Sequence, residues 1–514
     1  MQKILIQLEK TSLKQLHIWI VFIGSLVASQ VQYIQHGWIN PDSVLYLEAA
    51  KFFSKGEWVT GLAVFNWPIY SLCIALVNQI THLGVHISAQ ILNVIFFAIT
   101  TYSFIAIIKL AGGKQKQIIA GALIWLSAQY MIGGVLEMLM RDEGFWAFYL
   151  LSLVFFIQYY QQHRFKDALL WQVCIIIAIL FRIEAMLYLL FLPLVLLSHT
   201  ELTLKQKWKS LLIANAINIC LAIIVIAVFS LNDSLSTKLL GRLNEVFTTN
   251  LWQQLTGHLS QKSLIMSEQV LGKYLEEFAT TGLLLTFLYV IFAKIINSTG
   301  LIVVGLGTIA IKNYKHFFNQ QAFQVLSVAA VIATINMGLI ITKVFVLSGR
   351  YVLAFSFIFM VFAAFYFAEI LFKKTPANKT NWIALALVLF MLGGALKNIL
   401  PKKQGYNFRQ DAVAWVVADN VENKPVFYDQ VRMRYYAGAA FIGTFDDPLT
   451  YLKTMIANKS VSNHDYVVVE SSTKDNQVKI LLKNNLPDFI LMKQFNNVGA
   501  KKSILVYVKK ESNV

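Results

Sequence analysis

The sequence predicts an α-helical polytopic membrane protein with a small α/β domain near its C-terminal end. Of the 514 residues, 57% are hydrophobic and only 14% are charged, and the mean hydropathy is +0.59. Several apolar runs approach or exceed the ~20 residues that a helix needs to cross the bilayer core. Backbone polar groups inside a bilayer must pair within their own segment, so these runs are expected to be helices. Residues 401–514 instead alternate short β-type runs with helical stretches, which is typical of an α/β domain.

The apolar runs predict about eleven to thirteen transmembrane helices, together with interfacial juxtamembrane helices. We expect spans at 17–33, 87–111, 118–136, 145–161, 168–181, 186–198, 211–229, 322–341, 351–372 and 381–398. A polar external loop is expected at 232–277. Of the two runs that follow it, 280–296 and 300–311, only one needs to cross. The run at 67–80 is either juxtamembrane, re-entrant or a full span.

The positive charges predict the orientation of the chain. The formal net charge is +17, and Lys and Arg cluster in short loops between the predicted spans. Such loops face the cytoplasm under the positive-inside rule, so we expect a cytoplasmic N-terminus. The expected domains are residues 1–400 in the membrane and residues 401–514 on the non-cytoplasmic side. Because this rule explains the basic composition, we expect no nucleic-acid partner.

Cysteine usage and missing motifs exclude several kinds of site. Cys73, Cys174 and Cys220 lie in apolar stretches without paired spacing, so neither a disulfide nor a metal site is indicated. The sequence contains no GxxxxGK[ST] and no HExxH, and its nine histidines are scattered. We therefore expect no ATP site and no cofactor, and the need for a divalent metal ion stays open.

Asp42 lies in Asn40-Pro41-Asp42-Ser43, which follows the first predicted span. A carboxylate beside the hydrocarbon core is costly and indicates a functional site. At the outer end of a span it can act as a general base that takes a proton from an attacking hydroxyl or amine. Asp42 also precedes an amphipathic stretch at 44–53, where Asp is a preferred helix N-cap. The two interpretations are compatible.

A second charged cluster, Arg141-Asp142-Glu143, lies between two predicted spans on the same face as Asp42. Asp142 and Glu143 are expected to open the following helix, where negative charge suits the helix dipole. The cluster is interpreted either as part of a site or as a set of interfacial charges. Glu137 precedes Arg141 by one helical turn, so these two residues are placed to pair.

Two later charged positions also interrupt apolar sequence. Arg182 and Glu184 divide the stretch 168–199 into two short helices, which is costly unless the break lines a wet cavity. A plain tight external loop is the alternative. Arg350 and Tyr351 open a late span, where a guanidinium can hold the phosphate of a lipid with several donors. An interfacial anchor pair is the alternative there.

These segments, in this order, resemble the motifs of GT-C glycosyltransferases. Segment 40–50 resembles the first external loop of that superfamily, in which an acidic residue is followed four positions later by Tyr, here Asp42 and Tyr46. Further resemblances are found at 65–70 (a Pro-aromatic segment), 141–148 (a second acidic motif), 181–185 (a charged break) and 350–351 (an Arg-Tyr pair). The resemblance covers about residues 10–400. It is strongest to bacterial protein O-mannosyltransferase-like and aminoarabinose-transferase-like enzymes, which are glycosyltransferase family 39 and its relatives.

The resemblance implies a multi-pass glycosyltransferase of the bacterial inner membrane. Such an enzyme moves a sugar from a polyprenyl-phosphate donor to a protein, lipid or glycan acceptor at the non-cytoplasmic face. It implies catalytic roles for Asp42 and Asp142. The residues implied in binding the donor phosphate are Arg350, Tyr351 and Arg182, and those implied in support are Glu143, Glu184, Arg141 and Tyr46. Leu45 departs from the pattern, because relatives often carry Arg before the Tyr.

Two other classes of protein are alternatives. A transporter or flippase of lipid-linked sugars also places charges near helix breaks, but it predicts paired broken helices in two similar halves. No such repeat is visible in the sequence. A non-catalytic membrane scaffold predicts that Asp42 can be replaced without loss.

Overall fold

A computed structural model describes residues 11–231, 251–373, 381–443, 447–472 and 477–510. The basic residues before Ser12 and the first part of the predicted external loop, 232–250, lie outside the described residues. The contacts of the chain define two compact units, which are described separately. The first unit comprises Met1–Val31, Gln90–Leu136 and Arg141–Ile399, and the second comprises Gln32–Ala89, Glu137–Met140 and Leu400–Val514.

The described chain is mainly helical. Its α-helices are α1 (Leu13–Ile34), α2 (Pro41–Ser54), α3 (Trp58–Val64), α4 (Ile69–Thr81), α5 (Val85–Leu110), α6 (Gln115–Leu126), α7 (Asp142–Gln162), α8 (Phe165–Phe181), α9 (Met186–Phe191), α10 (Leu204–Ala214), α11 (Ala216–Leu231), α12 (Leu251–Gln269), α13 (Ala279–Thr299), α14 (Leu301–Lys312), α15 (Tyr314–Phe317), α16 (Gln320–Val344), α17 (Leu353–Leu371), α18 (Trp382–Ile399), α19 (Phe408–Asp419), α20 (Val431–Tyr436), α21 (Pro448–Ala457) and α22 (Gln477–Asn485). Tighter 3₁₀ turns or a π-turn occupy Met131–Val135, Leu136–Met138, Ile183–Ala185, Leu192–Ser198, Lys273–Phe278, Gly349–Val352 and Val461–Asn463.

In the described part of the chain, seven helical segments are long and apolar enough to cross a membrane. They are Leu13–Ile34, Val85–Leu110, Gln115–Met138, Lys273–Thr299, Gln320–Val344, Gly349–Leu371 and Trp382–Ile399. The apolar helices Ile69–Thr81, Ile183–Ser198 and Leu301–Lys312 are shorter than the ~20 residues of a straight span. The predicted α-helical polytopic class is therefore confirmed, while the total number of crossings stays a prediction. Of the two predicted runs 280–296 and 300–311, only the first lies in a helical segment long enough to cross.

One predicted span is interrupted. The run at 211–229 is divided by Asn215, which separates α10 from α11. The Asn215 side chain donates a hydrogen bond to the Leu211 carbonyl oxygen at 2.9 Å, and the amide of Ile217 donates to Gln172 Oε1 at 2.6 Å. A polar amide that bonds to nearby backbone competes with the helical ladder. The prediction of one continuous helix over this run is wrong for that reason.

The short β-type runs of the C-terminal region form strands, of which the described residues contain β1 (Val426–Tyr428), β2 (Tyr466–Ser472), β3 (Phe489–Asn496) and β4 (Lys502–Lys509). The strand order is β1-β2-β4-β3. β1 and β2 are parallel, with Phe427 opposite Val467, and β4 pairs antiparallel to both β2 and β3. The parallel pair is joined through α20 and α21, as a crossover connection requires.

Both faces of this sheet are covered. Because side chains alternate along a strand, Val468 and Val506 face one core while Val467 and Leu505 face the other. The first core includes residues of α19, and the second includes residues of α21 and α22. The sheet lies in the second unit, which also includes 32–89 and 137–140. The predicted domain boundary near residue 400 stays a prediction.

Candidate active site

A buried charged cluster lies in the first unit where α8 ends. After Phe181, Arg182 adopts an extended backbone (φ −145°, ψ 119°), and the chain continues as a 3₁₀ turn. The Arg182 guanidinium donates through Nη1 to the Asp142 carboxylate. It also donates to both carboxylate oxygens of Glu184, at 2.9 Å from Nη2 and 3.3 Å from Nε. We call Asp142, Arg182, Glu184 and Tyr351 the Arg182 cluster.

The remaining face of the Arg182 guanidinium is covered by an aromatic ring. Its Cζ lies 4.2 Å from the centroid of the Tyr351 ring, within the range of a cation–π contact. The side chains of Arg182 and Asp142 are 4% and 1% exposed. As arranged, the guanidinium forms ion pairs with two protein carboxylates. This favours a positioning role for Arg182, and its contact with a donor phosphate stays a prediction.

Gly144 explains how α7 and α8 approach closely enough to form this cluster. A Cβ atom at Gly144 would lie 2.6 Å from Cζ of Phe181, so a larger residue does not fit without a shift. Phe181 also stacks on Phe148 of α7, with ring centroids 6.0 Å apart. The first turn of α7 thereby places Asp142 beside Arg182, which follows Phe181.

The N-terminal turn of α7 confirms one sequence interpretation and changes another. Asp142 and Glu143 open the helix as predicted, and both are buried, as is the N-cap residue Arg141. Glu137 lies in a 3₁₀ turn, and Leu139 has a left-handed backbone (φ 51°), so the helical spacing that predicted a Glu137–Arg141 pair is absent. Within the second unit, Glu137 forms an ion pair with Lys402.

Arg350 and Tyr351 lie in the 3₁₀ turn Gly349–Val352 that leads into α17. The Tyr351 ring contacts both arginines, because Cζ of Arg350 lies 5.7 Å from its centroid. Arg350 is partly exposed, whereas Arg182 is buried. The first unit thus brings Arg350 together with the four residues of the Arg182 cluster, all of them predicted site residues. Of the two arginines, Arg350 is the one that a ligand reaches more readily.

Asp42 lies in the first turn of α2, in the second unit. The helix is capped by Asn40, whose Oδ1 accepts the backbone amide of Asp42 at 3.0 Å, and Pro41 occupies the first helical position. The hypothesis that Asp42 is the N-cap is therefore wrong. A carboxylate in the first turn still interacts favourably with the helix dipole. Asp42 is partly exposed, whereas Ser43 and Val44 are buried.

Tyr46 anchors α2 in the second unit. Its ring is buried and makes edge-on contacts with Phe65 at 4.9 Å and with Tyr70 at 5.4 Å between ring centroids. Phe65 and Tyr70 are the ends of the Pro-aromatic segment identified in the sequence. Tyr46 packs against these rings one turn after Asp42, and its supporting role in a site stays a prediction.

Residues that the sequence did not indicate hold the N-terminal end of α2. The backbone amide of Ile39 donates to the hydroxyl of Tyr436 at 3.0 Å, and Gln410 Nε2 donates to the His36 carbonyl oxygen at 2.7 Å. Burial raises the pKa of Tyr436 to about 12, so its hydroxyl stays protonated at neutral pH. Tyr436 and Gln410 are more than 370 residues away in the chain, and no local pattern predicts such pairs.

The segment before Asp142 also contacts α2. The Ser43 hydroxyl donates to the Met138 carbonyl oxygen, and Ser43 Oγ lies 3.7 Å from the sulfur of Met140. Met140 precedes Asp142 by two residues in the chain.

Among the described residues, no group of three or more His, Cys, Asp or Glu side chains could hold a metal ion.

Comparisons with known proteins find similarity among solved structures. Neither a family model nor a curated protein sequence matches the chain. Among solved structures, the chain is similar to the arabinofuranosyltransferase AftD from Mycobacteria, determined by cryo-EM, with 12% sequence identity and a TM-score of 0.47. The match covers 96% of this chain and spans 40% of the length of AftD.

Proposed function

We propose that the protein is a membrane glycosyltransferase of the GT-C type. It transfers a sugar from a polyprenyl-phosphate donor to a protein, lipid or glycan acceptor at the non-cytoplasmic face. The proposal is supported by the ordered set of sequence motifs, by the seven apolar helices of membrane-spanning length in the described part of the chain and by acidic residues placed at helix starts.

The contrast between the two candidate carboxylates carries the proposal. Asp142 is buried and its carboxylate is bound to Arg182, so it is placed to position other side chains. Asp42 is partly exposed, and the cap of its helix uses the Asn40 side chain instead. Asp42 is therefore the carboxylate that an acceptor reaches more readily, and we assign it the role of general base.

The reaction is a direct displacement in this proposal. Asp42 takes the proton of an acceptor hydroxyl while that oxygen forms a bond to the anomeric carbon of the donor sugar. The bond from the anomeric carbon to the phosphate oxygen breaks, and the electron pair leaves with the polyprenyl phosphate. The configuration at the anomeric carbon inverts, and no covalent enzyme intermediate forms. The resemblance to GT-C enzymes, and not a contact in the structure, assigns to Arg350 the neutralisation of the leaving phosphate.

The substitution Asp42→Asn tests this assignment. Asn has nearly the same shape but cannot take a proton, so transfer should fall by ~10²–10⁴-fold. The lost interaction with the helix dipole is worth only about 0.3–1 kcal/mol, so the variant should still fold and insert. The measurement is the transfer of labelled sugar from polyprenyl-phosphate donors in membranes that contain equal amounts of each protein.

Asp411→Asn is the matched control. Asp411 is an exposed carboxylate in the first turn of α19, in the same unit, and the proposal gives it no role. It should transfer sugar at the wild-type rate. Normal transfer by Asp42→Asn at normal protein level would remove Asp42 as the base.

A further inference from the structure

A cavity of about 580 Å³ lies in the first unit, between α1 and the C-terminal part of α5. One wall is fixed by His17, which is buried and stacks on Tyr102 with ring centroids 4.6 Å apart. His17 Nε2 also lies 2.9 Å from the Tyr102 carbonyl oxygen, which ties the two helices together. The residues assigned to the proposed active site do not line this cavity.

The cavity is cationic at one end. Lys14 is in the first turn of α1 and Lys109 is in the last turn of α5, and both line the cavity. Among the described residues, neither lysine forms an ion pair with a carboxylate. Two exposed ammonium groups at the ends of adjacent membrane-length helices attract an anionic headgroup.

The rest of the lining is apolar. Ile18, Val21 and Phe22 follow along α1, and more than half of the Ile18 and Phe22 surface is exposed. From Lys14 to Ser25 the helix rises by roughly 16 Å, at ~1.5 Å per residue. This length matches one leaflet, which is about half of the ~30 Å hydrocarbon core.

We propose that this cavity binds one anionic glycerophospholipid of the surrounding membrane. The phosphate lies at Lys14 and Lys109, and one acyl chain lies along Ile18, Val21 and Phe22. A volume of 580 Å³ is within the usual range for a single small ligand. The cationic end also distinguishes an anionic lipid from a zwitterionic one.

Native mass spectrometry of the full-length protein tests the proposal. The probes are phosphatidylglycerol and phosphatidylcholine with identical acyl chains, added to the delipidated protein in detergent. The wild type should retain phosphatidylglycerol in preference to phosphatidylcholine. In Lys14→Gln/Lys109→Gln, binding of phosphatidylglycerol should weaken by about tenfold to thirtyfold, since each lysine contributes a near-surface charge contact. Both lysines are exposed, so the variant should fold.

Lys114→Gln/Lys116→Gln is the matched control, because these lysines lie just beyond α5 but do not line the cavity. This control should retain phosphatidylglycerol as the wild type does. Equal retention of the two lipids by the wild type would overturn the proposal, as would an unchanged preference in the Lys14 and Lys109 variant. Displacement of phosphatidylglycerol by equimolar polyprenyl phosphate would equally overturn it, because the occupant would then be a different lipid.

Discussion

At the scale of single residues, the two arginines that share the Tyr351 ring differ in what surrounds them. Arg182 is buried between two carboxylates, while Arg350 is partly exposed. Both residues interrupt apolar sequence in a similar way, so composition and spacing do not separate them. The difference arises from Asp142, which lies 40 residues from Arg182 in the chain and reaches it only after α7 and α8 have packed.

Arg350→Ala should weaken donor binding far more than acceptor binding, since Arg350 is assigned to the donor phosphate. Arg350→Lys should restore binding only in part, because an ammonium replaces a planar guanidinium that donates to two oxygens at once. The measurement is the apparent affinity for donor and for acceptor in initial-rate assays. Arg164→Ala, at the start of α8, is the control and should change neither. An unchanged donor affinity in Arg350→Ala would show that Arg350 and Tyr351 form an interfacial anchor.

Asp42 shows what the sequence could and could not predict at this scale. Its position in the first turn of a helix follows from the amphipathic pattern after it. Asn40, Asp42 and Ser43 are all good N-cap residues, so residue type alone does not identify the cap. Pro41 does identify it, because Pro favours the first helical position and so indicates Asn40 as the cap, a signal in the sequence that the prediction missed.

At the scale of helices, the two ends of α8 provide a comparison of ion pairs. Arg164 pairs with Asp167 at the start, where the arginine side chain is 57% exposed, and Arg182 pairs with Asp142 at the end, where both partners are buried. Removing one partner of a buried pair leaves an uncompensated charge, which typically costs about 3–5 kcal/mol. The Asp167 side chain is itself only 5% exposed, so the Arg164 pair is not a surface pair. Lys424 and Glu422, whose side chains are 40% and 72% exposed, form a surface pair, and such a pair contributes only about 0–1 kcal/mol.

Arg182→Ala should therefore lower the midpoint of thermal unfolding in detergent clearly, while Lys424→Ala, which removes an exposed pair, should leave it nearly unchanged. The double variant Arg182→Met/Asp142→Asn should recover part of the loss, because it removes both charges of this pair. The measurement is tryptophan fluorescence of the purified variants during heating. Equal midpoints for the two single variants would mean that the Arg182 cluster contributes no more than a surface pair.

The contact between α20 and the N-terminal end of α2 gives a second prediction at this scale. Tyr436→Phe removes the acceptor of the Ile39 amide, and a buried donor without its acceptor costs about 1–3 kcal/mol. Hydrogen exchange should become faster at Ile39 and in the first turn of α2. Tyr435→Phe is the control: its hydroxyl lies 3.5 Å from His86 Nδ1, a long hydrogen bond whose loss should have a smaller effect. Unchanged exchange in Tyr436→Phe would show that this hydroxyl does not hold α2.

The sequence predicted which apolar runs form helices, but it did not predict where such a helix is interrupted. Long apolar runs such as 87–111 became single helices. The run at 211–229 did not, because one amide side chain at Asn215 binds the local backbone. Similarly, the apolar run at 118–136 ends in π- and 3₁₀-turns after Leu126, close to Gly133 and Gly134. Hydropathy averages over such single positions.

At the scale of the whole molecule, the sequence predicts a division near residue 400, whereas contacts group 32–89 and 137–140 with 400–514. The contacts that produce this grouping are tertiary, such as Ile39 with Tyr436 and Glu137 with Lys402. Each joins residues more than 260 positions apart, so no sequence pattern predicts them. The orientation of the termini, with the N-terminus in the cytoplasm, stays a prediction from the positive-inside rule.

The proposed function requires that the protein breaks the bond between sugar and polyprenyl phosphate and does not merely move the intact lipid. Purified protein in detergent, without a sealed membrane, separates these activities because transport cannot occur there. The measurement follows label from a panel of polyprenyl-phosphate sugars into an acceptor mixture, together with the free polyprenyl phosphate formed. Wild-type protein should release the two products in equal amounts for at least one sugar, and Asp42→Asn should release almost none. Intact donor for every sugar in detergent, combined with movement of the same lipids across sealed vesicles, would contradict the account and identify a carrier.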